Sequence, residues 1–171
     1  MTANETPSMT PNRPAARRQL PMIGWREWVQ LPELHVPWIK AKIDSGAKTS
    51  SLHAFDLEFV VAAEKTLARF SIHPHQRIDT DRCFCDAEVI DFRLVRSSNG
   101  GQENRPVILT SVVLLGQTWP IELTLTNRDQ MGFRMLLGRQ AIRNRFWIDA
   151  GRSYYSGTRT RPQRAPKPFG P

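Results

Sequence analysis

Apolar and polar residues alternate along much of this chain with a period of two, the spacing of a strand that buries one face. Ile23 to Val29, carrying Trp25 and Trp28, reads as an entry strand. Pro32 and Pro37 bracket a turn, and Trp38 to Ile43 alternates apolar and basic from Ile39 onward. Asp44-Ser45-Gly46-Ala47 interrupts as a turn signal. Leu52 to Val61 alternates again, and Leu67 to Ile72 is a further strand. Ala87 to Val95 alternates less strictly, but its β-branched content supports a strand. Ser97-Ser98-Asn99-Gly100-Gly101 reads as a hairpin tip, because Asn-Gly supplies the positive φ values of tight hairpin turns. Val107 to Leu115 is expected to be buried on both faces, and Gly116-Gln117 is a second hairpin turn. From Trp119 to Leu125, Ile121, Leu123 and Leu125 point one way and Glu122 and Thr124 the other. Met135-Leu136-Leu137 is a short buried strand ending at Gly138. Arg139 to Arg145 is the one helical stretch, with Ala141 and Ile142 to face inward, and Phe146 to Asp149 is a last strand. Short strands with turns this frequent predict an all-β fold, a closed or nearly closed barrel with one short C-terminal helix.

Composition narrows the picture. A chain of 171 residues, 40% of them hydrophobic, suits one domain with tails. No stretch approaches the about 18 consecutive apolar residues of a membrane span, and Met1 to Leu20 lacks the apolar centre of a secretory signal. Two cysteines, Cys83 and Cys85, make no disulfide framework. A soluble, cytoplasmic protein is expected.

The formal charge of +8 invites a nucleic-acid reading, but its distribution argues otherwise. Residues 1–20 hold three arginines against Glu5, and residues 152–171 hold four arginines and Lys167 with no acid. What lies between carries 16 basic and 15 acidic residues and is nearly neutral. Both ends are proline-bearing and short of large apolar side chains, so they are expected to be disordered. The expected organisation is a basic tail over 1–20, one domain over 21–155 and a second basic tail over 156–171. Nucleic-acid binding by the core is not expected; the tails suit an acidic partner.

The strongest local feature is Ile43-Asp44-Ser45-Gly46-Ala47. An acid that closes a buried strand is followed by Ser, able to bond a neighbouring amide, and by Gly, able to turn tightly beside a second chain. As a tripeptide alone, Asp-Ser-Gly is a common turn. Its context is more specific: across a hairpin and two strands follows Met135-Leu136-Leu137-Gly138-Arg139. This pairing resembles the retropepsin-like aspartic peptidases. More closely, the chain is similar to the bacterial family called putative ATP-dependent zinc proteases. The matching stretches are 23–27, 42–54, 105–108, 119–129, 131–139 and Asp149-x-Gly151-Arg152-Ser153-Tyr154.

The resemblance implies a retropepsin-like closed barrel and a role for each matching residue. Asp44 is the catalytic carboxylate, Ser45 braces the turn, and Gly46 lets the loop approach substrate. Ser97, Ser98, Asn99, Gly100 and Gly101 stand where a flap covers the substrate. Ala47, Gly138 and Arg139 support the active-site loop. Two departures stand out. Lys48 replaces the acid that often pairs with the Gly-Arg arginine, so Arg139 needs another partner. The stretch from Asp44 to the flap is also longer than usual.

Peptide hydrolysis by carboxylates needs two acids sharing one proton. This chain has one Asp-Ser-Gly, and the near-repeat Asp149-Ala150-Gly151 lacks the hydroxyl and reads as a turn. One acid per chain predicts a homodimer with Asp44 meeting Asp44 across a dyad. The expected function is thus an aspartic-type endopeptidase acting on a peptide or protein substrate, acidic or glutamate-tailed.

Two alternatives stay open. The family resembles partners of ATP-grasp ligases that add glutamates to a ribosomal protein, which implies a binding or regulatory module acting beside such a ligase or ribosomal protein. A zinc-dependent hydrolase is the other: His73 and His75, then Cys83 and Cys85, sit two apart and could each point two donors one way on extended chain. No His-Glu-x-x-His helix and no nucleotide-binding glycine loop is present, so no cofactor is expected.

Overall fold

The structure, a computed structural model, describes residues 19–75, 81–96, 100–127 and 132–157. Most of both expected tails, and Ser97, Ser98 and Asn99 of the expected flap, lie outside the described residues.

The strands are β1 (Met22–Gly24), β2 (Arg26–Leu31), β3 (Val36–Asp44), β4 (Ser50–His53), β5 (Phe55–Ala62) and β6 (Lys65–Ile72). They continue with β7 (Cys83–Arg96), β8 (Gln102–Leu114), β9 (Gln117–Thr126), β10 (Met135–Gly138) and β11 (Trp147–Asp149), with a single short helix, α1 (Arg139–Ile142), between the last two. The all-β expectation holds. Six strands run β2-β3-β10-β4-β9-β8, and Gln30 of β2 pairs with Val113 of β8, which closes the barrel. β7 continues from β8 and carries β6 and β5 as a wing. β1 and β11 form a separate two-stranded parallel sheet.

Alternation fills the barrel. Leu31, Ile39, Leu52, Ile108, Leu114, Leu123, Leu125 and Met135 are fully buried, and each such side chain contributes about 1.5–3 kcal/mol on leaving water.

Five elements differ from the sequence reading. Residues 107–115, expected to be buried on both faces, alternate instead, with Leu109 exposed. The entry strand is broken at Trp25, whose N–H donates to the carbonyl of Arg152 (3.0 Å). A side chain on Gly24 would collide with that same carbonyl, so the chain passes from one sheet to the next against backbone. The Leu52–Val61 run splits at Ala54, because the N–H groups of His53 and Ala54 leave for the carbonyls of Arg134 (2.7 Å) and Thr126 (3.0 Å). Pro37 lies inside β3; the turn itself is a 3₁₀ segment, Pro32–Leu34, closed by His35 in the left-handed region. The helix stops at Ile142, since Arg143 turns extended and Asn144 has φ 62°.

Candidate functional site

Asp44 is the last residue of β3 and pairs in parallel with Gly138 of β10, as Ile43 pairs with Leu137. Its Oδ1 accepts hydrogen bonds from the N–H groups of Gly46 and Ala47, both at 3.1 Å. A carboxylate that accepts from two successive amides holds its own loop in a turn. Both bonds fall on one oxygen, so Oδ2 takes no part in them.

The start of α1 secures the loop from behind. The Arg139 N–H donates to the Ala47 carbonyl (2.8 Å) and the Gln140 N–H to the Lys48 carbonyl (3.1 Å). The Arg139 guanidinium reaches the carbonyl of Ser45 at 2.8 Å. That backbone oxygen is the partner which Lys48 does not supply. Gly138 has no room for a side chain: a Cβ would lie 2.5 Å from the carbonyl carbon of Thr49. Its N–H donates instead to Ser50 Oγ (3.1 Å).

The loop opens onto a cleft of about 880 Å³. Its floor is an outward-facing row, Leu136, Ser51 and Thr124, aligned across β10, β4 and β9. Its overhang is the β7–β8 hairpin, through Phe92 to Arg96 and Arg105. Gly100 and Gly101 stand farther out on that hairpin; Gly100 has φ 83°. Among the described lining residues Asp44 is the one acid, against Lys48, Arg93, Arg96 and Arg105.

The hairpin arginines escaped the sequence reading, which looked at the tip rather than the arms. Arg93 sits opposite Arg105 on the two strands. Arg93 donates to Glu122 of β9 (2.5 Å) and to Asp91 (2.8 Å). The Arg93 hydrogen bond holds the Glu122 carboxyl below the ordinary carboxylate range, and the positive charge of Lys48 adds to it. Arg105, nearly fully buried, donates to Glu103 at 2.7 Å.

The proposed zinc donors are placed differently. His73 and His75 both face Asp81, with His75 Nδ1 hydrogen-bonded to its carboxylate and His73 Nδ1 at 3.7 Å. His73 also stacks on Phe55. The Cys85 thiol lies 3.4 Å from the Leu34 carbonyl and is pushed up to about 12 by burial. Burial raises the Cys83 thiol too. The four do not converge, and among the described residues no group of three or more His, Cys, Asp or Glu is arranged to hold a metal. These residues do not fit a zinc ion.

Comparison with known proteins follows the same lines. Residues 22–159 match the family described as RimB-like, "Retropepsin-like aspartic endopeptidase RimB". The chain is 44% identical over 136 residues to a protein of Shewanella pealeana named "Probable alpha-L-glutamate ligase", covering 80% of this chain and 30% of that one. A Desulfotalea psychrophila protein of the same name is 48% identical over 129 residues, covering 75% of this chain and 28% of its own length. The chain therefore spans less than a third of the curated relatives it matches. A solved structure from Legionella pneumophila, of a protein of unknown function, superposes with a TM-score of 0.68 at 25% identity, covering 80% of this chain and 98% of that one.

Proposed function

The chain belongs to the RimB-like family of retropepsin-like aspartic endopeptidases, and from that premise we propose that it hydrolyses peptide bonds with a water held between two Asp44 carboxylates, one from each subunit of a homodimer. The observation that carries this is Asp44 itself, fixed through one oxygen by a braced loop at a cleft large enough for a peptide. Two carboxylates that close cannot both ionise, so their pKa values split. The ionised one takes a proton from water, whose oxygen attacks the scissile carbonyl. The protonated one donates to the carbonyl oxygen, and collapse of the tetrahedral diol passes a proton to the leaving amine. Ser45 and Gly46 keep the loop in this posture, while the hairpin ending at Gly100 and Gly101 covers the substrate.

Dimerisation gains support from the neighbourhood of β3. The Ile43 N–H donates to the Trp25 carbonyl (2.9 Å), so Asp44 lies beside the β1–β11 sheet. That sheet exposes the paired Met22 and Trp147 on one face, an apolar patch suited to a second copy. Substrate class follows from charge: beyond Arg93 and Arg105, which are paired with carboxylates, Lys48 and Arg96 line the cleft and suit an acidic or glutamate-tailed segment. The free cysteines suit a reducing cytoplasm, and among the described residues no helix is long and apolar enough to cross a membrane.

The relatives named as glutamate ligases favour a second reading, a module that binds and regulates an ATP-grasp ligase or its ribosomal substrate without turnover. Incubating purified chain with a fluorogenic glutamate-tailed peptide distinguishes the two. The peptidase reading expects cleavage that Asp44→Asn abolishes and a dimer by sedimentation. Cleavage that survives the substitution overturns it; no cleavage together with tight ligase binding establishes the second reading.

A further inference from the structure

The two arms of the β7–β8 hairpin are fastened to the barrel at two points that their own strand pairing does not require. Arg93 on the first arm reaches Glu122 of β9 at 2.5 Å, its Nε steadied by Asp91 at 2.8 Å. Glu103 on the second arm accepts from the hydroxyl of Thr126, also on β9, at 3.0 Å, and its carboxylate is held by the buried Arg105 at 2.7 Å. Glu122, Thr124 and Thr126 alternate on one face of β9. The middle one, Thr124, is cleft floor, so a bridge stands on each side of the floor.

We propose that the Arg93–Glu122 and Glu103–Thr126 bridges are paired latches that hold the hairpin arms over the Asp44 cleft, which makes Glu122 a positioning residue for substrate. The two differ in kind. Arg93 and Glu122 are about one-third exposed on their side chains, at 31% and 38%, so their attraction is screened and opens at high salt. Glu103 is half-exposed, but it meets the barrel through a hydroxyl hydrogen bond rather than an ion pair and is held by the buried Arg105 guanidinium, so it is less sensitive to salt. By register the Arg93–Glu122 latch lies nearer the base of the hairpin and sets how far the first arm covers the cleft, while the Glu103–Thr126 bridge holds the second arm nearer the tip. Neither touches the reacting atoms. Their effect falls on how well substrate is held, because Phe92 to Arg96 line the cleft only while that arm stays down.

This rests on the Asp44 cleft being the substrate cleft, and the test separates the two ideas. Hydrogen exchange on the full chain is compared for wild type, Glu122→Gln and the charge swap R93E/E122R. Glu122→Gln is expected to speed exchange at residues 91–96 about tenfold while β10 and α1 stay within about twofold. Hydrolysis of a fluorogenic acidic peptide by Glu122→Gln should show KM raised about 3- to 10-fold with kcat within about twofold, and the swap should restore slow exchange at residues 91–96. Unchanged exchange at 91–96, a uniform rise across the barrel, or a fall in kcat at constant KM would overturn the latch. A wild type that hydrolyses no peptide defeats the peptidase reading, and the exchange data alone then decide the latch.

Discussion

The molecule builds the same turn twice. Asp44 closes β3 opposite Gly138, and its Oδ1 accepts from the Gly46 N–H. Asp149 closes β11 opposite Gly24, and its Oδ1 accepts from the Gly151 N–H at 2.8 Å. In both, an apolar residue pairs with an apolar residue one step earlier, Ile43 with Leu137 and Ile148 with Ile23. In both, the facing glycine is pressed against backbone that follows the turn. The difference lies outside the turn. The second oxygen of Asp149 is taken by the Tyr155 hydroxyl at 2.6 Å, which holds its carboxyl below the ordinary value. Asp44 opens instead onto a cationic cleft. Local geometry makes a carboxylate stand still; its surroundings decide whether it has chemistry left to do.

Substitutions break this comparison at different depths. The largest effect is expected at the acids themselves: Asp44→Asn should cut peptide hydrolysis on the order of a thousandfold or more, whereas Asp149→Asn should leave the rate within about twofold. Steady-state kinetics on both proteins checks it. Next comes Glu27, buried in β2, whose carboxylate accepts from the N–H groups of Gly24 (2.6 Å), Tyr155 (2.9 Å) and Ser156 (3.0 Å) and from the Ser156 hydroxyl (2.8 Å). Glu27→Gln turns an amide against this ring of donors and should cost about 2–3 kcal/mol in urea unfolding, on the Asp149 side of the molecule alone. Glycine replacement is subtler. Gly138→Ala and Gly24→Ala should each cost about 1–3 kcal/mol, but only Gly138→Ala should also slow hydrolysis, since it displaces Thr49 behind the Asp44 loop.

The smallest effect is a titration. Because Tyr155 depresses Asp149, the folded state is favoured above the ordinary carboxylate pKa and loses that preference as pH falls through the lowered value. Tyr155→Phe should lower Tm slightly at neutral pH and converge with wild type in strong acid. NMR titration should show the Asp149 carboxyl moving up toward its ordinary value.

Much of the barrel was legible because half-buried strands write their burial into alternation: Ile121, Leu123 and Leu125 needed no partner to be placed. The Asp44 turn was legible because its bonds are local, reaching two and three residues ahead. What stayed hidden depends on residues distant in sequence. The break at Trp25 comes from the Arg152 carbonyl, and the partner of Arg139 is the carbonyl of Ser45; a backbone oxygen leaves no mark in side-chain pattern. The cationic overhang required knowing that Arg93 and Arg105 face each other across a hairpin and lean over β9. Only their interleaving with Phe92 and Leu94 beside the tip could have hinted at it.

The parallel pairing of β1 with β11 has a consequence for assembly. Strands from the two ends of the described chain lie side by side, Met22 against Trp147, so a covalent tether leaving from either end starts from the same small area. A second domain fused before or after this one is delivered to one side of the barrel at high effective concentration, whichever order the fusion takes.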